Sequence, residues 1–386
     1  MTVPQHHHPP VSNPGTPAIC TIVSRNYLCY ARALVRSFRN QHPTGEAWVL
    51  VVDDPEPHFD PTAEDFHVVR IADLKLPNPA SWLFRYTPFE LCNSLKPQLI
   101  RHVLRDLGRP AVIYLDSDIG IFNPIDAFWK LTLQTGLVLT PHCLSDYPTD
   151  GCWPDRNVLQ TAGIFNAGIL GVASGWAEGF LEWWANALEF DCEVDLPAGR
   201  YVDQRYLDLV PTWFPDAKIC LDPGMNVAHF NLHERTVELV QNRWSIGGIP
   251  LVAFHFTLID WERQTFWPPV NRPLVSHQPR LRTLIQQHSE LLHASGWTVT
   301  RQWPGGYDCF RNGLKISPAT RRAFRLATKA QGYQGDPFVD STWMAFERST
   351  RRRAALQRTL SIFPRFWNRL SRLLAQFRRT EARPTH

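Results

Sequence analysis

Ala111-Val112-Ile113-Tyr114-Leu115-Asp116-Ser117-Asp118-Ile119-Gly120-Ile121-Phe122 is the stretch on which the reading of this chain turns. Ala111 to Leu115 is short, apolar, partly β-branched and preceded by Gly108-Arg109-Pro110, which predicts a buried strand. Alternate residues of a strand point the same way. Asp116 and Asp118 are therefore expected to project together from its carboxyl end, where open α/β sheets hold their ligands. Two carboxylates side by side repel each other unless a cation lies between them. Oxygen ligation suits a hard ion, Mn²⁺ or Mg²⁺, completed by substrate phosphates. The bland reading of the same residues is a strand-end turn whose carboxylates cap the backbone that follows.

The segments around this stretch predict its setting. Ala18 to Val23 reads as a first strand, Ser24-Arg25-Asn26-Tyr27 as a polar turn, and Tyr30 to Phe38 as a helix with Ala31, Leu34, Val35 and Phe38 on one face. Ala47 to Val52 is a second strand ending in Asp53-Asp54, so a parallel βαβ sheet opens the chain. A shorter strand is expected at Phe66–Ile71 and a helix over Glu90–Leu107. Strands follow at Leu137–Thr140 and Gly168–Val172, a helix at Trp176–Phe190 and a late strand at Leu251–Phe256. The fold class is α/β, Rossmann-like, with a mostly parallel sheet flanked by helices and a helical C-terminal extension. The expected divisions are a disordered leader (1–17), a catalytic domain (18–273), a helical extension (274–345) and a basic amphipathic tail (346–386).

Composition narrows the function. Of 386 residues 44% are hydrophobic and 12% aromatic, enough for a sizeable core. No run approaches the roughly 18–20 apolar residues that cross a bilayer, and the Pro- and His-rich start has no signal-peptide pattern. The run His6-His7-His8 reads as incidental. Eight scattered cysteines without a Cys-x-x-Cys pair read as reduced cytosolic thiols. Net charge is +4, but Glu347 to His386 holds eleven Arg and two Glu, which leaves the body acidic and argues against a nucleic-acid partner. Leu356, Leu360, Phe363, Trp367, Leu370, Leu374 and Phe377 form an apolar stripe among those arginines. A basic amphipathic segment of this kind fits an anionic membrane surface, with packing on the body or an inter-subunit seam as the other readings. The expected location is cytoplasmic, peripheral at the inner face of the cell membrane.

Three further groups carry chemistry. Asn166-Ala167-Gly168 pairs an amide with two small residues that let a ligand approach the backbone; a tight turn before a strand reads equally well. Asp203-Gln204 can hydrogen-bond several hydroxyls, or can simply open a helix. His255, in Ala253-Phe254-His255-Phe256, is either a ligand or a core histidine, and His229 and His233 compete with it.

In this order the groups resemble metal-dependent nucleotide-sugar glycosyltransferases of the GT-A fold, most of all the glycogenin and lipopolysaccharide galactosyltransferase-like group (family 8) and its bacterial relatives. The resemblance spans about residues 18–262. It implies that Asp116, Asp118 and His255 ligate Mn²⁺ or Mg²⁺ on the diphosphate of a nucleotide-sugar donor, expected to be a UDP-sugar. It implies that Asn166, Ala167, Gly168, Asp203 and Gln204 hold the sugar, with Asp203 and Gln204 at the reacting carbon. Lys96 matches a basic position that contacts donor sugar or phosphate. Ser24, Asn26, Tyr27 and Asp53 would line base and ribose. The acceptor would be a glycan or a lipid-linked glycan, and the anomeric configuration would be retained. The family's late Lys is missing from Thr257-Leu258-Ile259-Asp260-Trp261, and Arg263 is the substitute the sequence offers. Two other classes compete: a haloacid-dehalogenase-like phosphatase with Asp116 as nucleophile, whose motif normally lies in the first strand, and a non-catalytic sugar-nucleotide-binding module.

Overall fold

The computed structural model describes residues 15–54, 56–175, 177–268 and 270–354. Most of the expected leader and the whole apolar stripe 356–377 lie outside the described residues. By Cα packing the chain divides into two compact units, Met1–Asp308 and Cys309–His386.

The first unit is built on a seven-stranded sheet. The unit's first seven strands in chain order, all but β5 in this sheet, are β1 (Ala18–Val23), β2 (Glu46–Val51), β3 (His67–Arg70), β4 (Ala111–Leu115), β5 (Ile119–Ile121), β6 (Leu137–Pro141) and β7 (Phe165–Ala173). Across the sheet the order is Lys218–Ile219, β6, β7, β4, β1, β2, β3. β1 runs parallel to both β2 and β4, and β2 runs parallel to β3. This is the α/β architecture expected, with α1 (Leu28–Gln41) burying Leu28, Ala31, Leu34, Val35 and Phe38. The amphipathic spacing of those residues is what makes the helix and docks it.

Two local expectations are corrected, and the pairing of the late strand is a further finding. β7 is antiparallel to β4 and β6, and all nine of its residues are buried. Asn166, Ala167 and Gly168 thus lie inside this strand, not in a turn ahead of it. The expected helix 90–107 is three pieces: Pro88–Ser94, Lys96–Arg101 and a π-helical turn at His102–Asp106. Pro97 sets the break, because a proline lacks the N–H of a continuing helix but fits a first turn. The late strand, Ala253–His255, does not join the main sheet; it pairs antiparallel with β5, placing His255 opposite Ile119.

Beyond Pro273 the first unit continues. Leu281, Leu284 and Ile285 of helix Pro279–Ala294 share one apolar cluster with Phe254 and Phe256, so this helix buttresses the strand that carries His255. The second unit has its own small core of Phe310, Ile316, Phe324 and Phe338. There the fully buried Glu347 carboxylate accepts from Ser317 N, Ser317 Oγ and Thr320 Oγ1 at the start of helix Pro318–Thr328. No helix among the described residues is long and apolar enough to cross a membrane, and all eight cysteines are free.

Candidate metal centre and donor site

β4 ends at Leu115, and Asp116-Ser117-Asp118 forms a turn into β5. Asp116 N donates to Gly168 O at 2.8 Å, and Ile119 N closes the turn on Asp116 O at 3.1 Å. The two carboxylates therefore converge through a tight turn, not through the alternation of a strand. His255 arrives from the other side, its strand locked by Phe256 N donating to Asp118 O at 2.8 Å. His255 Nε2 lies 3.0 Å from Asp118 Oδ1 and 3.9 Å from Asp116 Oδ2. One ligand atom from each of Asp116, Asp118 and His255 lies within 4.8 Å of the others.

Gly168 forms the floor. A Cβ there would meet Asn166 Oδ1 at 2.6 Å, Asp116 Oδ2 at 2.7 Å and His255 Cε1 at 2.8 Å, so only glycine lets the strand pass this close. Burial works against charge on both partners of the His255–Asp118 pair. Even so their mutual attraction holds Asp118 below the usual carboxylate range and His255 above the usual imidazole value. Two carboxylate oxygens and one imidazole nitrogen are a donor set that fits Mn²⁺ or Mg²⁺.

Lys96 joins this centre to the expected sugar site. Its side chain is 2% exposed; Nζ lies 3.1 Å from Asp116 Oδ1 and 2.9 Å from Asp203 Oδ2, and it donates to Ala167 O at 3.2 Å. Burial alone would strip its proton, but the two carboxylates outweigh that and raise its pKa. Asp203 is 1% exposed, and burial pushes its carboxyl up to about 6 although Lys96 pulls the other way. Tyr114 donates its hydroxyl to Asp116 Oδ1 at 3.0 Å. Gln204 is tied in beside them: Oε1 accepts from Asn166 Nδ2 at 3.1 Å and Ala167 N at 3.3 Å, while Nε2 donates to Ala162 O at 2.8 Å. Asn166, Ala167, Gly168, Asp203 and Gln204 thus form one connected group next to the carboxylate–histidine cluster.

The first polar turn is held differently. Ser24 Oγ donates to Asn26 Oδ1 at 2.6 Å, and Tyr27, 49% exposed, stacks on Tyr30 with ring centroids 5.1 Å apart. Burial raises the Tyr27 phenol, and the Asp118 carboxylate adds to the shift. Asp53 is buried, and its two oxygens accept from Arg25 N and Gly306 N, both at 2.7 Å; its carboxylate braces two loops. Arg263 is not brought in. Its side chain is 76% exposed, and Nε faces Asp260 Oδ2 at 3.7 Å.

The sequence does not point to His142 and His288, which stand with His229 as neutral rings around the cluster. His142 Nε2 lies 3.3 Å from Asn166 Nδ2, and burial lowers its pKa to about 4. His288 stacks on Phe256 and His229 on Trp153; burial lowers each to about 3. No spacing pattern connects these residues. Tyr114 could have been found, since it stands two residues before Asp116.

No protein-family model matches the chain. Two Bacillus subtilis (strain 168) proteins are similar in sequence. YfnF is 25% identical over 258 residues, 63% of this chain and 81% of its own length. YfnD is 26% identical over 244 residues, 61% of this chain and 76% of its own. Both carry the description "uncharacterized". Among solved structures, the galactosyltransferase LgtC, crystallised with donor and acceptor sugar analogues, aligns over 72% of this chain and 95% of its own at 15% identity and a TM-score of 0.39. The glycosyltransferase GlyE of Streptococcus pneumoniae TIGR4 aligns over 77% and 68% at 14% identity and a TM-score of 0.42. Mouse xyloside xylosyltransferase 1 aligns over 63% and 98% at 12% identity and a TM-score of 0.36. Likeness at this distance assigns no role to an individual residue; the named solved structures to which the chain is similar are glycosyltransferases.

Proposed function

We propose that this chain is a metal-dependent glycosyltransferase of the GT-A type. It moves a hexose from a nucleotide-diphosphate sugar, a UDP-sugar, to a glycan or lipid-linked acceptor. The observation that carries this reading is the convergence of Asp116, Asp118 and His255 within 4.8 Å, with Lys96 bridging Asp116 to the buried Asp203. A phosphate-handling metal centre and a hydroxyl-binding group are thereby coupled through one ammonium.

Asp116, Asp118 and His255 would hold Mn²⁺ or Mg²⁺. When bound, such an ion offsets the negative charge that builds on a departing diphosphate. Lys96 fixes the orientation of both carboxylates it touches and keeps a permanent positive charge beside them. Asn166, Asp203 and Gln204 hold the hexose, and the carboxylate of Asp203 stabilises positive charge at the anomeric carbon. No side chain of this group identifies itself as a covalent nucleophile, which supports attack on the same face. The bond from the acceptor oxygen to the anomeric carbon forms as the bond to the diphosphate oxygen breaks. The hydroxyl proton passes to the departing diphosphate, and configuration is retained. Tyr27, Ser24 and Asn26 face the nucleotide. The basic tail 346–386 brings the enzyme to an anionic membrane at the cytoplasmic side, the charge excess of eleven Arg over two Glu being the support for it.

The test is a thermal-shift and turnover screen of nucleotide sugars with and without Mn²⁺, followed by proton NMR of the product. Metal-dependent stabilisation by one donor, and sugar transfer with a retained anomer, are expected. Phosphate release without acceptor would make the chain a phosphatase using Asp116. Metal-dependent UDP binding with no turnover of any donor would make it a binding module.

A further inference from the structure

A cleft of about 550 Å³ opens on the first unit between α1, segment 58–66 and segment 294–303. Arg32, Val35 and Arg36 line it from α1, and none of the side chains of the metal centre takes part. One wall is aromatic. The rings of Phe59 and Trp303 lie 6.2 Å apart with planes 8° from parallel, and His58 sits 5.4 Å from Trp303. Deeper in, the Glu64 carboxylate is 6% exposed and held by Arg32, whose Nε and Nη2 donate at 2.9 and 2.5 Å. Arg32 Nη1 also donates to Ser295 O at 3.3 Å, tying the two sides together. At the rim, Arg36 is exposed with no ion pair among the described residues, and Asp60 is exposed close by.

The lining selects its ligand by exclusion. An apolar ligand would bury the Arg36 guanidinium without a carboxylate partner, which is costly. A polyanion would meet Asp60, Glu64 and Asp65, and a polycation would meet Arg32 and Arg36. Both signs are present in near balance, beside flat rings. Uncharged pyranose rings match this, because their C–H faces lie on aromatic surfaces. Their neighbouring hydroxyls donate to carboxylates and accept from a guanidinium fork.

We propose that this cleft is a carbohydrate-binding site separate from the donor site, taking an uncharged oligosaccharide. On the transferase reading, it holds sugar units of the acceptor glycan remote from the reacting end. The loop bearing Trp303 is well placed for that coupling. Pro304 O accepts from Arg25 Nε at 2.5 Å, and Gly306 N donates to Asp53 Oδ1 at 2.7 Å, so the cleft wall and the donor turn are pinned to each other.

The experiment is saturation-transfer NMR on the full chain with maltohexaose, cellohexaose and chitohexaose as probes, repeated on Trp303→Ala, Arg36→Ala and Asp118→Ala. At least one probe is expected to bind, with affinity roughly tenfold lower in each cleft variant and unchanged in Asp118→Ala. Arg36 is exposed, so its variant reports binding even if Trp303→Ala misfolds. Silence of all three probes on the wild type overturns the proposal. So does a signal that survives both cleft variants, or one that disappears in Asp118→Ala. Cleft binding in a protein that transfers no sugar leaves this site standing and removes the transferase reading. Transfer without cleft binding does the reverse.

Discussion

His255 and His288 are buried almost equally, at 5% and 3% exposure, yet their pKa values move in opposite directions. The same desolvation acts on both. His255 faces Asp118 at 3.0 Å and Asp116 at 3.9 Å, close enough in a low-dielectric setting for attraction to exceed the cost of burial. His288 lies flat on Phe256, ring centroids 3.8 Å apart, and its Nε2 has no partner. Asp118 pulls in the same direction there but too weakly, and the ring stays neutral. Burial alone does not make a histidine a ligand or a core residue; the carboxylate within hydrogen-bond reach decides.

The comparison can be broken at its charged side first. Replacing Asp118 with Ala should lower metal-dependent sugar transfer at least about a thousandfold with the fold kept; near-normal initial rates in saturating Mn²⁺ would refute the metal assignment. Lys96→Met leaves Asp116 and Asp203 without their shared cation. By the cost of breaking buried pairs it should destabilise the chain by about 3–5 kcal/mol in urea titrations. A loss under about 1 kcal/mol would show that the bridge is not a buried ion pair.

Asp203→Asn tests a second feature. The folded protein holds the Asp203 proton up to about pH 6, whereas the unfolded chain releases it near 4. Its contribution is full below the unfolded value and is lost as pH rises through about 6. Wild type should thus lose stability relative to Asp203→Asn between pH 4 and 6, and a flat difference across that window would contradict the shift.

The neutral histidines carry the opposite sign. The unfolded chain takes up protons below about pH 6.5 that folded His142, His229 and His288 refuse until about 4, 3 and 3. Stability should fall as pH drops, by roughly 1 kcal/mol per ring at pH 5.5. His288→Phe preserves the stack on Phe256 and should shrink the acid loss by about a third, read from melting temperatures at pH 7.5 and 5.5. An identical acid loss in the variant would mean that His288 titrates normally. The smallest effect belongs to Arg263→Ala. An exposed side chain outside the centre should change turnover by less than about twofold, and a large drop would return Arg263 to the donor site.

The α/β class and nearly every early strand were readable because periodicity and apolar runs are local properties. β1, β2 and β4 lie within a residue of their expected bounds. β7 is longer than the expected Gly168–Val172, because its first residues, Asn166-Ala167-Gly168, look like a turn, and its antiparallel direction is not legible, because a buried strand looks the same in either orientation. The centre was legible as residue types in order, with Asp116, Asp118 and His255 named and found together. The reason given for the two aspartates was wrong, since a turn and not strand alternation aims them. That the Lys96 ammonium spans Asp116 and Asp203 was not legible in the sequence. Helix Pro279–Ala294 was assigned to an extension, whereas it buttresses the strand bearing His255.

From the order of residues alone came the layered α/β design, the acidic pair after an apolar strand, and the basic character of the far end of the chain. These follow from short-range pattern and composition, which survive without any knowledge of contacts. Tertiary structure alone brought His255 to 3.0 Å from Asp118, buried Lys96 between two carboxylates and left Arg263 exposed beside Asp260. Those outcomes depend on ångström-scale distances between segments far apart in sequence, and in a low-dielectric interior such distances determine which charges persist.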